Sequence, residues 1–274
     1  MADVPVRIQL VAQGIGTCKE IKVNVRRSAK YPRVEWGVLK YPMCAVVGGG
    51  LSVRTKLDML RKWEGDIFAI NDTAGFLSDN GISSIIYAVD PTKVPFKIGA
   101  NVRGACFASR VHRKQFTQMK DKPIFVFDMA EEDNMTGIEG GPTAVCRTPH
   151  LMLRMGYRGI TYFGIDGSLT PKATHTSGYS KAAYDNMIII TAGGVGYYTN
   201  AGFMLQNEYM AKTITKYHQF LVNGSDGLIK AMLENPDTWS VTAVAEDLKK
   251  KYEDKGCMVW SKEYRGGNNI WLPA

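Results

Sequence analysis

The sequence predicts an α/β fold with a doubly wound, mostly parallel sheet of the Rossmann-like kind. Short continuous apolar runs, such as 43–47 and 160–165, recur along the chain, and such runs are typical of strands buried on both faces of a parallel sheet. Segments of helical length separate them, and this alternation indicates βαβ units. Of the 274 residues, 45% are hydrophobic and 22% are charged, which is an ordinary globular balance.

Three parts are predicted in order along the chain: a basic N-terminal arm over 1–42, a nucleotide-binding α/β domain over 43–200, and a C-terminal helical segment over 201–274. The arm is expected to hold a short strand or two and extended chain. The predicted strands cover 43–47, 67–71, 84–90, 105–108, 123–127 and 160–166. A β-hairpin is expected over 187–199. The predicted helices cover 55–62 (with Ser52 as its cap), 73–80, 141–155, 201–221, 227–234 and 243–252.

Composition narrows the classes of protein to consider. No run approaches the roughly 18 apolar residues of a membrane span, and no secretory signal is evident near the start, so we expect a cytoplasmic protein. The net charge of +8 fits either an anionic partner or a solubilising surface, and no nucleic-acid-binding motif is evident. The cysteines form no C-x-x-C pair and predict reduced packing residues. They are Cys18, Cys44, Cys106, Cys146 and Cys257.

The candidate binding residues each follow a predicted strand or open a predicted helix, at the edge where ligands bind in an open α/β sheet. Those expected to hold a nucleotide are Gly48, Gly49, Gly50, Ser52, Asn71, Asp90, Gly141 and Thr143. Glycines let backbone N–H groups approach a phosphate, and a helix that starts behind them adds a favourable dipole. The loop is neither a Walker A sequence nor a full G-x-G-x-x-G, and an ordinary tight turn is the structural alternative.

Two further residues are candidates for chemistry. His175 lies in a polar loop and is the candidate general acid or base, because an imidazole titrates near neutral pH. Asp166 follows the strand 160–165 and is expected to orient substrate or, with Asp90, to hold Mg²⁺. The structural alternatives stay open: a strand-end cap for Asp90, a turn for Asp166 and an exposed loop histidine for His175.

The order of these motifs resembles a superfamily that contains archaeal 6-hydroxymethylpterin pyrophosphokinases, motility-accessory flagellin glycosyltransferases and bacterial sialyltransferases that use CMP-sialic acid. The resemblance covers residues 43–233. The matching segments are V-V-G-G-G-L-S at 46–52, A-I-N at 69–71, D-P at 90–91, L-R-M-G-Y-R-G-I to G-I-D at 153–166, T-H-T-S-G at 174–178 and V-N-G-S-D-G at 222–227. Leu51 stands where the family has proline, and Gly167 where it has an aromatic or apolar residue.

The resemblance implies a nucleotide held by the glycine loop, Asn71 and the helix start at Gly141 and Thr143, with His175 as the catalytic base. The first expectation is transfer of a sugar from a CMP- or UDP-activated donor to a hydroxyl acceptor, which is a small molecule, a glycan or a macromolecule such as DNA. One alternative is Mg²⁺-dependent transfer of diphosphate from ATP to a hydroxymethylpterin-like alcohol. A second is a nucleotide-binding protein without catalysis.

Overall fold

A computed structural model of the chain describes residues 18–34, 37, 41–130, 137–141, 143–169, 176, 187–234 and 239–244. Its main sheet has seven strands in the order β5-β4-β3-β2-β1-β6-β9, and every neighbouring pair is parallel. The strands are β1 (Met43–Val47), β2 (Asp66–Ile70), β3 (Ser84–Ala88), β4 (Val102–Ala108), β5 (Ile124–Phe127), β6 (Gly159–Phe163) and β9 (Leu221–Asn223). The predicted α/β, Rossmann-like fold is therefore confirmed.

A smaller antiparallel sheet is formed by strands that lie on either side of β9 in sequence. It has the order β10-β7-β8 and is formed by β7 (Met187–Ala192), β8 (Val195–Asn200) and β10 (Trp239–Val244). The first two strands pair from Met187 opposite Asn200 to Ala192 opposite Val195, which confirms the predicted hairpin.

Helices lie between most of the strands. They are α1 (Cys18–Ser28), α2 (Leu57–Arg61), α3 (Thr73–Asp79), α4 (Arg113–Gln118), α5 (Ala144–Met155), α6 (Ala201–Lys216) and α7 (Leu228–Glu234), with a 3₁₀ helix at Leu51–Lys56. Helix α5 ends at Gly156, whose φ of 103° lies in the left-handed region that glycine adopts readily. No helix in these described segments is long and apolar enough to cross a bilayer.

The core explains why the apolar runs form the central strands. Cys44, Ala45, Val46 and Val47 of β1 are all fully buried, as expected for a strand covered on both faces of a parallel sheet. Three of the cysteines, Cys44, Cys106 and Cys146, are free and buried. The prediction that they are reduced packing residues is confirmed for these three.

Three local predictions were wrong. The N-terminal arm contains a helix over Cys18–Ser28 where extended chain was expected, and the acidic Glu20 in its first turn and basic Arg26 and Arg27 in its last turn complement the helix dipole. Residues 1–17 of the arm lie outside the described part of the chain. Ser52 does not cap a helix over 55–62, because a 3₁₀ helix already begins at residue 51 behind Gly50.

The third error concerns the last predicted helix, 243–252. Ala243 and Val244 lie in β10, where they pair with Ile189 and Ile188 of β7. Residues 245–252 are outside the described part of the chain. Strand pairing therefore overrides the local helical pattern at the start of this segment.

The order of the strands fixes where a ligand is expected to bind. From β1 the chain proceeds through β2, β3 and β4 to β5 on one side of the sheet, and then returns to place β6 and β9 on the other side of β1. The direction of winding therefore reverses between β1 and β6. In open α/β sheets, the crevice at the carboxyl ends of the strands flanking such a switch point is the usual ligand site.

Candidate functional site

The glycine loop at residues 48–50 lies at this switch point, and two of its N–H groups are used inside the protein. The N–H of Gly48 donates to the Phe163 carbonyl at 2.8 Å, and that of Gly50 donates to the Gly164 carbonyl at 2.7 Å. These bonds extend the pairing of β1 and β6 past the ends of both strands. Gly48 and Gly50 thus join the two strands, and their amides are not free for a phosphate.

The N–H groups of Gly49 and Leu51 are different, because no acceptor among the described residues reaches either of them. Gly49 is buried, and a buried backbone N–H without a partner is rare in native proteins. Toward the described residues, these alternate amides are the ones in the loop that keep unused hydrogen-bonding capacity. The sequence predicted donors along the whole loop, whereas the structure leaves Gly49 and Leu51 as the available ones.

Close packing explains the glycines at positions 48 and 50. A Cβ atom on Gly48 would lie 2.7 Å from the Gly164 carbonyl oxygen. A Cβ atom on Gly50 would lie 2.6 Å from both the Gly164 oxygen and the Asp166 carboxyl carbon. Such distances are below van der Waals contact, so the two loops approach this closely only because neither glycine has a side chain.

Asp166 fastens the 3₁₀ helix to the end of β6. One carboxylate oxygen accepts a hydrogen bond from the Ser52 N–H at 2.9 Å, and the other accepts one from the Ser52 hydroxyl. Asp166 is only 6% exposed. Burial raises its pKa above the ordinary value and nearby Asp226 adds to the rise, while the two bonds from Ser52 and the charge of Lys56 oppose it. The arrangement fixes the position of the glycine loop.

The segment after β9 contacts the chain around Asp166. The Ser225 hydroxyl accepts a hydrogen bond from the Ile165 N–H at 2.9 Å, and Ser225 is 1% exposed. Asp226 forms an ion pair with Lys56 at 3.7 Å. The late segment 222–227 therefore lies against Asp166.

Asn71 and Asp90 meet at the ends of β2 and β3. The Asn71 side-chain amide donates to an Asp90 carboxylate oxygen at 2.9 Å, while its Oδ1 atom is buried and has no hydrogen-bond partner among the described residues. The backbone of Asn71 has a φ of 50°, a left-handed conformation that asparagine tolerates better than most residues. Since Val47 pairs with Ala69 in register, Asn71 and Gly49 end adjacent strands, and Asn71 offers its Oδ1 acceptor there.

Gly141 and Thr143 lie at the start of α5, where an aromatic ring covers the backbone. A Cβ atom on Gly141 would come within 2.6 Å of the Tyr209 ring, so this glycine is needed for α6 to approach. Thr143 precedes α5 without capping it through its side chain, and its hydroxyl contacts the Cys146 sulfur at 3.3 Å.

Arg147 of α5 lies near this helix start, and no pattern in the sequence predicted it there. Its Nη1 atom donates to the Ile138 carbonyl at 2.8 Å, and burial, reinforced by the charge of Arg110, lowers its pKa. Tyr87 and Tyr209 raise that pKa. A half-buried arginine beside the α5 start adds positive charge there, and its place became visible only when the helix was positioned.

His175 lies outside the described residues, but its neighbour Thr176 is described. The Thr176 N–H donates to the Gly49 carbonyl at 2.9 Å, and the Thr176 hydroxyl is buried and has no hydrogen-bond partner in the described part of the chain. The residue after His175 is therefore attached to the middle of the glycine loop. Gly49 N–H, Thr176 Oγ1 and Asn71 Oδ1 are three polar groups with unused hydrogen-bonding capacity at one edge of the sheet.

Metal ligation was predicted for Asp90 and Asp166. Asp90 accepts from Asn71, and both oxygens of Asp166 accept from Ser52. Within the described segments, no group of three or more His, Cys, Asp or Glu side chains comes together as a metal site would require. Comparisons of the chain with models of known protein families, with curated proteins and with solved structures give no match.

Proposed function

We propose that this chain binds a nucleotide-activated sugar at the switch point between β1 and β6 and transfers the sugar to a hydroxyl acceptor. The observation that carries the proposal is the buried N–H of Gly49, which has no acceptor among the described residues although it lies in the crevice where α/β sheets bind ligands. A phosphate oxygen is a suitable acceptor for this N–H and for that of Leu51.

Asn71 has the geometry to hold the nucleoside part of the donor. Its Oδ1 atom is buried without a donor, and leaving a buried acceptor unsatisfied costs about 1–3 kcal/mol. A ribose hydroxyl or a base amino group would satisfy it. Asp90 fixes the orientation of this amide through its bond to the Asn71 Nδ2 atom, so Asp90 is a positioning residue in this scheme.

His175 supplies the proposed base. It accepts the proton of the acceptor hydroxyl as that oxygen attacks the anomeric carbon, and the bond from this carbon to the phosphate oxygen breaks. The bonding electrons leave with the nucleotide phosphate, where the Gly49 and Leu51 amides stabilise the charge that develops. The support for a histidine here is the bond from Thr176, next in sequence, to Gly49.

Diphosphate transfer from ATP remains the alternative, and it needs carboxylates that hold Mg²⁺. Both oxygens of Asp166 and one of Asp90 already accept internal hydrogen bonds. Those bonds favour sugar transfer over the kinase reaction. A nucleotide-binding protein without catalysis would use the same donors and differ only in lacking turnover.

A thermal-shift panel with CMP, UDP, GDP and ATP, each with and without Mg²⁺, tests the binding step. A ligand at 100 times its Kd stabilises the folded state by about 2.7 kcal/mol. We expect a pyrimidine nucleotide to raise the Tm without Mg²⁺. A shift that occurs only with ATP and Mg²⁺ would support the kinase instead, and no shift with any nucleotide would contradict the proposal.

Turnover tests the chemical step separately. We expect His175→Ala to retain nucleotide binding and to lose sugar transfer by 10²-fold or more, the usual contribution of a general base. His218→Ala is the matched control, because His218 lies on an exposed turn with its Nδ1 atom near the Thr215 carbonyl. A His175→Ala variant with full turnover would refute the role of His175.

A further inference from the structure

A cavity lies between α1 and the chain that follows β3 and β4. It has a volume of about 360 Å³, within the range of small-molecule pockets. One wall comes from the N-terminal helix and the other from residues after Asp90 and after Arg110. The lining residues are Lys19, Glu20, Val23, Asn24, Arg27, Lys93, His112 and Arg113.

Hydrogen bonds fix both walls of this α1 cavity. Asn24 is 4% exposed, and its side-chain amide donates to the Arg110 carbonyl at 3.1 Å, which joins α1 to the end of β4. Gln115 is fully buried and donates to the carbonyls of Thr92 and Val94 on either side of Lys93. The cavity is therefore formed by anchored backbone, and Lys93 is held on its rim.

The lining is strongly positive. Four of its side chains are Lys or Arg and one is a carboxylate, which leaves a formal charge of 4 − 1 = +3 with His112 neutral. The carboxylate, Glu20, forms an ion pair with Lys93. The remaining three cations of the lining, Lys19, Arg27 and Arg113, outnumber its one carboxylate. Like charges gathered in one concavity attract a counter-ion.

His112 also lines this cavity. Its Nδ1 atom accepts a hydrogen bond from the Lys114 N–H at 3.3 Å, so a neutral ring carries its proton on Nε2. Burial lowers the pKa of His112, and the charges of Arg113, Lys114 and Lys93 lower it further, whereas Glu20 raises it. The ring is thus neutral at pH 7 and able to donate from Nε2.

We propose that the α1 cavity binds the phosphate group of a small phosphorylated molecule, separately from the nucleotide at the switch point. Lys19, Arg27 and Arg113 supply the charge and His112 a hydrogen bond from its ring. A phosphate dianion matches three cations and several donors better than a single carboxylate does. The proposal does not depend on sugar transfer, although the cavity lies at the same edge of the sheet as Asp90.

Calorimetric titration of the full chain with inorganic pyrophosphate and with a phosphate monoester, at fixed ionic strength, tests this proposal. We expect the double variant Arg27→Gln with Arg113→Gln to bind each anion at least tenfold more weakly than wild type. Lys120→Gln is the matched control, since Lys120 is exposed just after α4 and does not line the cavity. It should bind as wild type within twofold.

An NMR titration of the histidine rings locates the anion. A bound phosphate near His112 should raise the pKa of that ring by about one unit, as an opposite charge at close range does. The affinity should therefore increase as the pH falls through this pKa. The ring resonances of His218, on its exposed turn, should not change when the anion is added.

Several results would overturn the proposal. These are an absence of binding, equal weakening by Lys120→Gln, an unchanged pKa of His112, and binding of a single-stranded oligonucleotide without binding of either small anion. Loss of pyrophosphate binding in Asn71→Gly, but not in the double variant, would place the anion at the glycine loop instead. We expect the double variant to bind nucleotide as wild type does. Its loss of anion binding then tests the α1 cavity independently of the switch-point site.

Discussion

The substitution Gly50→Ala tests whether the close approach of the glycine loop to Asp166 holds the site together. Gly50 has φ −63° and ψ 151°, a conformation that alanine adopts freely, so the change introduces no backbone strain. The added Cβ atom would lie 2.6 Å from the Asp166 carboxyl carbon and 2.6 Å from the Gly164 oxygen. Any destabilisation must therefore come from contact across the switch point.

Two responses to the added methyl group are open, and both cost free energy. If the loops stay in place, overpacking costs about 1–3 kcal/mol. If Asp166 moves aside, the hydrogen bonds from Ser52 are lost, and bonds to a charged group contribute about 1.5–3 kcal/mol. The lower entropy of the unfolded alanine chain offsets about 0.4–1 kcal/mol. The response with the smaller cost sets the result, so we expect a net destabilisation of about 0.5–2.5 kcal/mol.

Urea unfolding followed by circular dichroism measures this difference, with Gly81→Ala as the control. Gly81 has a φ of +74° and no atom within 4 Å of its Cβ position, so alanine there costs only the left-handed conformation, about 1–2 kcal/mol. A Gly50→Ala variant within 0.5 kcal/mol of wild type would refute the packing argument. Nucleotide affinity should fall in the same variant, because Gly49 moves with its neighbour.

Three further predictions concern groups around the site and the α1 cavity. Burial raises the pKa of Asp166, so the protonated carboxyl stabilises the folded state fully below about pH 4, the ordinary range of this group, and this stabilisation is lost as the pH rises through the folded pKa. In urea unfolding from pH 4 to 7, wild type should therefore lose stability relative to Asp166→Asn. A difference in unfolding free energy that stays constant with pH would contradict this. Gln115→Leu removes three hydrogen bonds to backbone groups of the segment 92–96 and should lower the free energy of unfolding by about 2–4 kcal/mol. A decrease below 0.5 kcal/mol would mean that other contacts fix this segment. Tyr157→Phe removes the bond from the Tyr157 hydroxyl to Asp66 at 2.5 Å and should cost about 1.5–3 kcal/mol, with the exposed Tyr209→Phe as a control expected to change unfolding by less than 0.5 kcal/mol.

The sequence predicted the central strands well, because their signal is local. Fully buried parallel strands appear as continuous apolar runs, and the run 43–47 coincides with β1 at both ends. Helix α1 was missed although Glu20 and Arg27 mark its two ends. The alternating apolar residues and prolines before and after it were interpreted as extended chain instead.

The site was predicted in part, and the reasons for the difference lie in contacts between distant segments. The sequence placed Gly48 and Gly50 in a phosphate loop, but it could not show that their amides bond to Phe163 and Gly164. Those bonds depend on the order of strands in the sheet. The α1 cavity was not predicted for the same reason, since Arg27 and Arg113 are 86 residues apart in the chain and meet only when α1 packs on the sheet.

Removing the Asn71 side chain without straining the backbone gives the most direct test of nucleotide binding at the switch point. Asn71→Gly is suited to this, because glycine adopts the φ of 50° found there at no steric cost. In a calorimetric titration with the nucleotide that gives the largest thermal shift, we expect Asn71→Gly to keep the fold and to bind at least tenfold more weakly, a loss of about 1.4 kcal/mol. Equal affinity for wild type and a correctly folded Asn71→Gly variant would contradict the central claim.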